Sequence, residues 1–447
     1  MPGYWPHTED EIQAMLADLG LGSLEELFAM VPPTLRLAGL APLPPGRPEP
    51  DVLAGLRRLA RRNRAVGEDL VCFAGAGAYD REIPPVTSAL GSRPEFVTSY
   101  TPYQPEVSQG VLQLLFEFQT LLVRLTGMEV ANASLYDGAA SLVEAVHLAV
   151  GATGRHAVWV SQGVHPSWRQ VLATMAAGPG YELVTVPLVE GRSRLDLPEG
   201  APPPAAIVVA QPNHLGCVED LGALRAACDE TGALAVVTLD PVAAGVLRAP
   251  GELGADLVVG EGQPLGVPLS FGGPYLGLFA ARARDARRLP GRLVGETVDQ
   301  EGRRAYVTTL RTREQDIRRE RATSNVCTNQ TLLALVAAIQ LAWLGPTGLA
   351  AVATRSAQGA HYCRDQLREV AGLRPLVEAP FLYEFAVHLP VPAELAIERL
   401  ADEGFLGGVA LDPELAPDGH GLLVAVTERR TREEIDRFAA ALAKVVR

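Results

Sequence analysis

Short apolar runs of strand length recur through the middle of the chain, separated by stretches in which apolar residues return every three to four positions. Residues 157–161, 183–187, 206–210, 234–240, 256–259 and 276–280 read as buried strands, and 111–126, 141–151, 168–177 and 221–231 as helices. Strands that are apolar on both faces, with helices between them, belong to a mainly parallel sheet covered on each side. The pattern therefore predicts an α/β domain over residues 49–300, whose first helix is expected at 51–64. Ligands in such folds sit beyond the carboxyl ends of the strands. Upstream, Thr8-Glu9-Asp10-Glu11 and Ser23-Leu24-Glu25-Glu26 each read as a capping box opening a helix. A Pro-rich linker, 41–48, then closes an N-terminal helical arm over residues 1–48. An arm that short holds no core of its own, so it is expected to dock on the main body or on a partner chain. After Leu289-Pro290-Gly291 the pattern changes. A basic stretch at 303–321 leads to helices at 330–344 and 347–371, broken at Gly345-Pro346. Strands at 382–388 and 422–426 and helices at 393–402 and 431–446 follow, so residues 301–447 read as connecting helices and a smaller α+β domain.

Composition narrows the class. Among 447 residues, 48% are hydrophobic and 20% charged, which is an ordinary folded chain. A net charge of −13 argues against a nucleic-acid or acidic-membrane surface. No uninterrupted apolar run reaches the roughly 18 residues of a membrane span, and Met1-Pro2-Gly3-Tyr4-Trp5-Pro6 lacks a secretion signal, so a cytoplasmic location is expected. Cys72, Cys217, Cys228, Cys327 and Cys363 show neither a C-x-x-C pair nor a histidine at ligand spacing, and they read as reduced thiols rather than a metal site. Basic residues are almost all arginine, and the single lysine is Lys444.

That lysine count bears on the Gly/Pro-rich run 260–277, which lies between two predicted strands. At this point in the topology, pyridoxal-phosphate (PLP) enzymes of the aspartate-aminotransferase type carry the lysine that anchors the cofactor. Here the position falls on Gln263, whose amide cannot condense with an aldehyde. Other parts of such a pocket have candidates. The turn from Ser134 through Gly138 to Ser141, at a helix start, suits a phosphate or is simply a tight helix entry. His165 is placed to stack on a flat ring or to serve structurally. Asp240 is placed to pair with a pyridinium nitrogen or to cap a turn. A chain with this shape and no anchor takes part in PLP chemistry only with the cofactor held on another polypeptide. The polar-aromatic loop 99–110 then gains weight: Tyr100, Thr101, Tyr103, Gln104, Glu106, Ser108 and Gln109, stiffened by Pro102 and Pro105, suit a site wall or an interface. Arg311 and Arg313 suit a carboxylate or phosphate, or belong to a solvated helix.

Three runs carry a specific resemblance. They are Ser99-Tyr100-Thr101-Pro102-Tyr103-Gln104-Pro105-Glu106-Val107-Ser108-Gln109-Gly110, the pair Gln263-Pro264-Leu265-Gly266-Val267-Pro268 with Phe271-Gly272-Gly273-Pro274, and Thr312-Arg313-Glu314-Gln315-Asp316-Ile317-Arg318-Arg319-Glu320-Arg321-Ala322-Thr323-Ser324-Asn325. On these the chain resembles the P-protein of the glycine cleavage system, and in particular its α, or N-terminal-half, chains, over nearly its whole length. The resemblance implies a fold-type-I, aspartate-aminotransferase-like large domain with a seven-stranded-type sheet. It implies one subunit of the oxidoreductase glycine dehydrogenase (decarboxylating), in a heterotetramer of two α and two β chains. The β chain, subunit 2, would hold lysine and PLP, and the aminomethyl group left after glycine decarboxylation would pass to the lipoyl arm of H-protein. Gln263 would stand at the lysine position, with His165 and Asp240 inherited without the anchor and no catalytic residue on this chain alone. Tyr275 and Asp316 depart from the family's usual histidines. Two other readings stay open: a non-catalytic assembly or regulatory subunit holding a small effector in the vestigial pocket, and a dinucleotide-binding dehydrogenase, which lacks its G-x-G-x-x-G.

Overall fold

The computed structural model describes residues 6–37, 44–98, 100–196 and 200–447. Part of the linker at 41–48, and Ser99, lie outside them. Two compact units are present, residues 1–64 and 65–447. In the first, α1 (Glu9–Asp18) starts at Thr8, whose side chain accepts from Glu11 N–H while the Glu11 side chain accepts from Thr8 N–H, as the capping box predicts. The second expected capping box is not formed. Leu24–Phe28 is a five-residue 3-10 turn, and the Ser23 side chain caps no backbone N–H. Too few residues follow Ser23 before Pro32 to repay the nucleation of a full helix. The helix expected at 51–64 is α2 (Glu49–Ala60), begun by Pro at its first turn.

The second unit is built on a seven-stranded sheet. In chain order the strands are β1 (Val130–Ala131), β2 (Ala157–Ser161), β3 (Glu182–Val186), β4 (Pro204–Gln211), β5 (Leu234–Leu239), β6 (Leu257–Glu261) and β7 (Gly277–Ala281). Their spatial order is β1-β7-β6-β5-β4-β2-β3. The run β6-β5-β4-β2-β3 is parallel, and β7 is antiparallel to both of its neighbours. Every residue of β2, β4, β6 and β7 is buried, which is why these strands read as unbroken apolar runs. Helices α3 (Gln109–Thr126), α4 (Gly138–Thr153), α5 (Pro166–Ala177) and α6 (Leu221–Thr231) connect and cover them. α4 begins three residues earlier than its apolar pattern, because Asp137 caps it through Ala140 N–H.

A hairpin, β8 (Val294–Val298) with β9 (Arg304–Thr308), was not expected. Its second strand opens the basic stretch, and buried, half-buried and exposed positions are mixed along both strands, so no regular alternation announces it. α7 (Thr331–Arg368) merges the two helices expected around Gly345-Pro346, and Gly345 keeps a non-helical φ of 58°. By length and composition α7 is the one described helix apolar enough to cross a membrane. It breaks at Gly345, and Ala334, Ala337, Ala338 and Leu341 are in the core of the sheet domain. A four-stranded sheet, β10 (Arg374–Pro375), β11 (Glu384–His388), β12 (Val409–Ala410) and β13 (Gly421–Ala425), has the order β10-β11-β13-β12. It packs with α8 (Ala393–Asp402) and α9 (Arg432–Val445) around a core of its own that includes Phe385, Leu400 and Phe438.

Candidate functional site

Beyond the carboxyl ends of β2, β4, β5 and β6 lies a cavity of about 70 Å³, and the first residue of β11 helps to close it. Asp240, just past β5, lines it and accepts from Val242 N–H at 2.8 Å. His165 lines it as the N-cap of α5. Its Nδ1 accepts from Ser167 N–H at 3.1 Å, so Nε2 carries the proton that meets the Ala76 carbonyl at 2.9 Å. The ring stacks on Trp168, with centroids 6.1 Å apart, and meets the His214 ring edge-on at 4.9 Å. Burial lowers the pKa of both imidazoles, that of His214 to about 3, so both are neutral.

Two carboxyls decide what the cavity can hold. Glu261, at the end of β6, accepts from Gly138 N–H through Oε2 at 3.0 Å. Its Oε1 accepts from Gln263 N–H at 2.9 Å and from Leu276 N–H at 3.0 Å. The start of α4, where backbone N–H groups would cradle an anion, is thus filled by the chain's own carboxylate. A side chain at Gly138 would run into the Trp168 ring, so the same turn is also closed sterically. Glu384 accepts from Ala76 N–H at 2.6 Å and from Tyr79 Oη at 3.0 Å. Burial pushes each of these carboxyls up to about 7. Replacing Glu261 by Gln is expected to cost about 1–3 kcal/mol at about pH 4.5, where the natural carboxyl is uncharged, because the amide NH2 then faces Gly138 N–H and leaves that donor unpaired; above pH 7 relief of the buried charge offsets that loss. Urea unfolding of the variant at the acid pH checks it, and an unchanged midpoint there would contradict the assignment.

Gln263 is 2% exposed and fully engaged. Its Oε1 accepts from Tyr79 N–H at 2.9 Å, and its Nε2 donates to the carbonyls of Tyr79 at 3.1 Å and Val267 at 2.8 Å. The single lysine, Lys444, is exposed on α9 and donates to Glu403 at 2.6 Å. Ser134 Oγ accepts from Asn329 Nδ2 at 2.7 Å, and Ser141 Oγ donates to the Asp137 carbonyl at 2.9 Å. PLP does not fit this pocket. Its volume is far below the roughly 300 Å³ at which ligand sites begin, its anion cup is occupied from within, and it offers no amine.

A second, open groove of about 710 Å³ runs along the polar-aromatic loop, lined by Phe96, Tyr100, Thr101, Tyr103, Gln104 and Ser108, among others. Tyr100 is 80% exposed and Tyr103 50%. The guanidinium of Arg292 lies over the Tyr103 ring at 5.0 Å, and that of Arg311 at 6.0 Å.

Residues 2–442 match the family model described as glycine cleavage system P-protein. The chain belongs to that family. It is 47% identical over 444 residues to the probable glycine dehydrogenase (decarboxylating) subunit 1 of Moorella thermoacetica, covering 98% of each chain. It is 48% identical over 439 residues to the protein of the same name from Chlorobium chlorochromatii, covering 97% of this chain and 98% of the relative. Among solved structures, a glycine decarboxylase (P-protein) of the glycine cleavage system in inhibitor-bound form is 48% identical, with a TM-score of 0.90 over 99% of this chain and 100% of the other. Mouse CSAD, 16% identical with a TM-score of 0.69 over 95% of this chain and 92% of its own, shares the fold alone. So does an alanine–glyoxylate aminotransferase from Nostoc, at 19% identity and a TM-score of 0.59 over 87% of this chain and 98% of its own. The fold is that of fold-type-I PLP-dependent enzymes.

In this P-protein chain the predicted pocket residues divide. His165 and Asp240 meet at one cavity, whereas Ser134, Gly138, Ser141 and Gln263 are spent on internal hydrogen bonds. Of the loop residues, Gln109 is also spent: its amide bonds both the N–H and the carbonyl of Tyr306 on β9, each at 2.8 Å. Glu106 is exposed on the short turn Pro105–Val107. Arg311 reaches Asp316 at 3.5 Å, and Arg313 Nη1 donates to the Leu289 carbonyl while its Nε and Nη2 are buried with no hydrogen-bond partner among the described residues. Sequence reasoning missed Glu261, Glu384, Trp168 and Arg292. Glu261 carried a readable signal, being an acid at the end of an apolar strand just as Asp240 is, but Arg292 carried none.

Proposed function

We propose that this P-protein chain is the non-anchoring first subunit of a glycine dehydrogenase (decarboxylating). It pairs with a second subunit that holds PLP, in a heterotetramer of two chains of each kind, and the complex decarboxylates glycine and passes the aminomethyl group to the lipoyl arm of H-protein. The observation that carries this reading is the self-filled pocket: Glu261 and Trp168 occupy the anion cup, and Gln263 holds two loops together where a lysine would stand. The chain's own part is then to wall the partner's site. The loop groove supports this, since it presents tyrosine and amide groups on Pro-stiffened backbone and exposes them. Tyr100, Thr101, Tyr103, Gln104, Glu106 and Ser108 would face the bound glycine or the lipoyl channel, with Arg311 and Arg313 as the nearby cations. They would orient the substrate and exclude water, and the partner's cofactor would supply the electron sink. An effector in the vestigial pocket has the cavity's small volume against it.

The test co-expresses the chain with subunit 2, adds PLP, reduces with borohydride and maps the label by peptide mass. Label confined to a lysine of the partner is expected, and stoichiometric label on Lys444 would overturn the division of labour. In the same complex, Tyr103→Phe combined with Gln104→Ala is expected to lower glycine–bicarbonate exchange by about tenfold or more. Full exchange would sink the wall reading.

A further inference from the structure

Arg292 is 5% exposed, and among the described residues it makes no ion pair, the Glu314 carboxyl acting on it only through space. All of its described donors go to neutral acceptors. Nη1 donates to Asn329 Oδ1 at 2.9 Å. Nη2 donates to the Cys327 carbonyl at 2.8 Å and to Tyr103 Oη at 3.2 Å. The guanidinium also lies over the Tyr103 ring, 5.0 Å from its centroid. Its backbone carbonyl accepts from Ala133 N–H at 2.9 Å, and Asn329 continues the chain of bonds to Ser134 Oγ at 2.7 Å. A buried cation with no ion-pair partner in hydrogen-bonding contact is costly, and a neutral residue of similar shape would pack the same space for less. What the cation achieves here is the fixing of one exposed side chain. Stacking and the hydrogen bond together hold both torsions of Tyr103. Because Tyr103 Oη accepts from Arg292, the phenol's own proton is left for a group outside the chain.

We propose that Arg292 is a positioning residue that aims the Tyr103 hydroxyl, as a hydrogen-bond donor, at an acceptor bound in the partner subunit's site. The inference rests on the wall reading above. It marks Tyr103 as the side chain of the loop whose orientation is set from behind, by Arg292 just before β8, which is itself bonded to the turn that precedes α4.

A double-mutant cycle in the co-expressed complex tests it, with assembly followed by size-exclusion chromatography and exchange kinetics resolved into kcat and KM. Tyr103→Phe and Arg292→Gln are each expected to lower kcat/KM by about tenfold, and the double variant by no more than Tyr103→Phe alone, since both remove one donor. Arg292→Lys, which keeps the charge and one donor, is expected to recover part of the loss. If Arg292→Gln fails to assemble, the cycle is run with Arg292→Lys, whose smaller loss must likewise vanish in the Tyr103→Phe background. Losses that multiply to about a hundredfold, or full exchange in Arg292→Gln beside an impaired Tyr103→Phe, would overturn the proposal and leave the wall reading standing. Full exchange in Tyr103→Phe itself would also overturn the proposal, and the wall reading falls with it only if Tyr103→Phe combined with Gln104→Ala leaves exchange full as well.

Discussion

Replacing Gln263 by Leu is expected to lower the unfolding free energy by about 3–5 kcal/mol, although the two side chains are close in size. Three buried backbone groups lose their partner at once: Tyr79 N–H, the Tyr79 carbonyl and the Val267 carbonyl. Each unsatisfied group costs about 1–3 kcal/mol, and the greater transfer free energy of leucine offsets only part of the sum. Because the volume is nearly conserved, the loss reports hydrogen bonding rather than a cavity. Urea unfolding would show it as a lower midpoint at unchanged slope. A loss below about 1 kcal/mol would mean that the amide does not clamp the two loops. Gln263 serves stability, so the same substitution in the assembled complex is expected to reduce yield before it reduces the rate per assembled site.

Replacing Glu384 by Gln is expected to stabilise the chain by on the order of 3 kcal/mol at pH 8 and to be nearly neutral at about pH 4.5. Burial first, and the nearby Asp240 second, push this carboxyl from its ordinary 4.5 to about 7, against the lowering pull of its two hydrogen bonds and of Arg81. A carboxyl whose folded pKa lies above its unfolded one stabilises fully below the unfolded value, and that contribution is lost as pH rises through the folded value. The window is therefore about 4.5 to 7. Glutamine does not titrate. Its carbonyl can accept from Ala76 N–H and its NH2 can donate to Tyr79 Oη, so it keeps the contacts without the charge. Unfolding measured at several pH values should show the variant and the natural chain converging in acid and separating in base. A variant less stable than the natural chain at pH 8 would show that the charged carboxylate is wanted there.

The parallel strands were legible because burial on both faces removes polar residues from them, and β2, β4, β6 and β7 are buried throughout. The hairpin β8–β9 was not, because one edge of it meets solvent and its charged residues mask the alternation. Thr8 and Ser23 opened the same four-residue pattern, yet only Thr8 was followed by enough helix to use it. His165 and Asp240 could be named as pocket residues from their place just past strand ends. Glu261 stands at an equivalent place, two residues before Gln263.

The amino-acid sequence by itself settled the alternation that makes the sheet, the family runs at 99–110 and 263–274, and the absence of any lysine but Lys444. These are properties of composition and local order, and burial writes them directly into neighbouring residues. Only the tertiary structure decided that the pocket is filled from within and that the loop is braced from behind. Gln263 meets Tyr79 across 184 residues, Gly138 meets Glu261 across 123, and Arg292 meets Tyr103 across 189. No periodicity records such pairs. Whether a glutamate fills an anion cup, or an arginine aims a tyrosine, depends on which strand ends and turns the fold sets side by side.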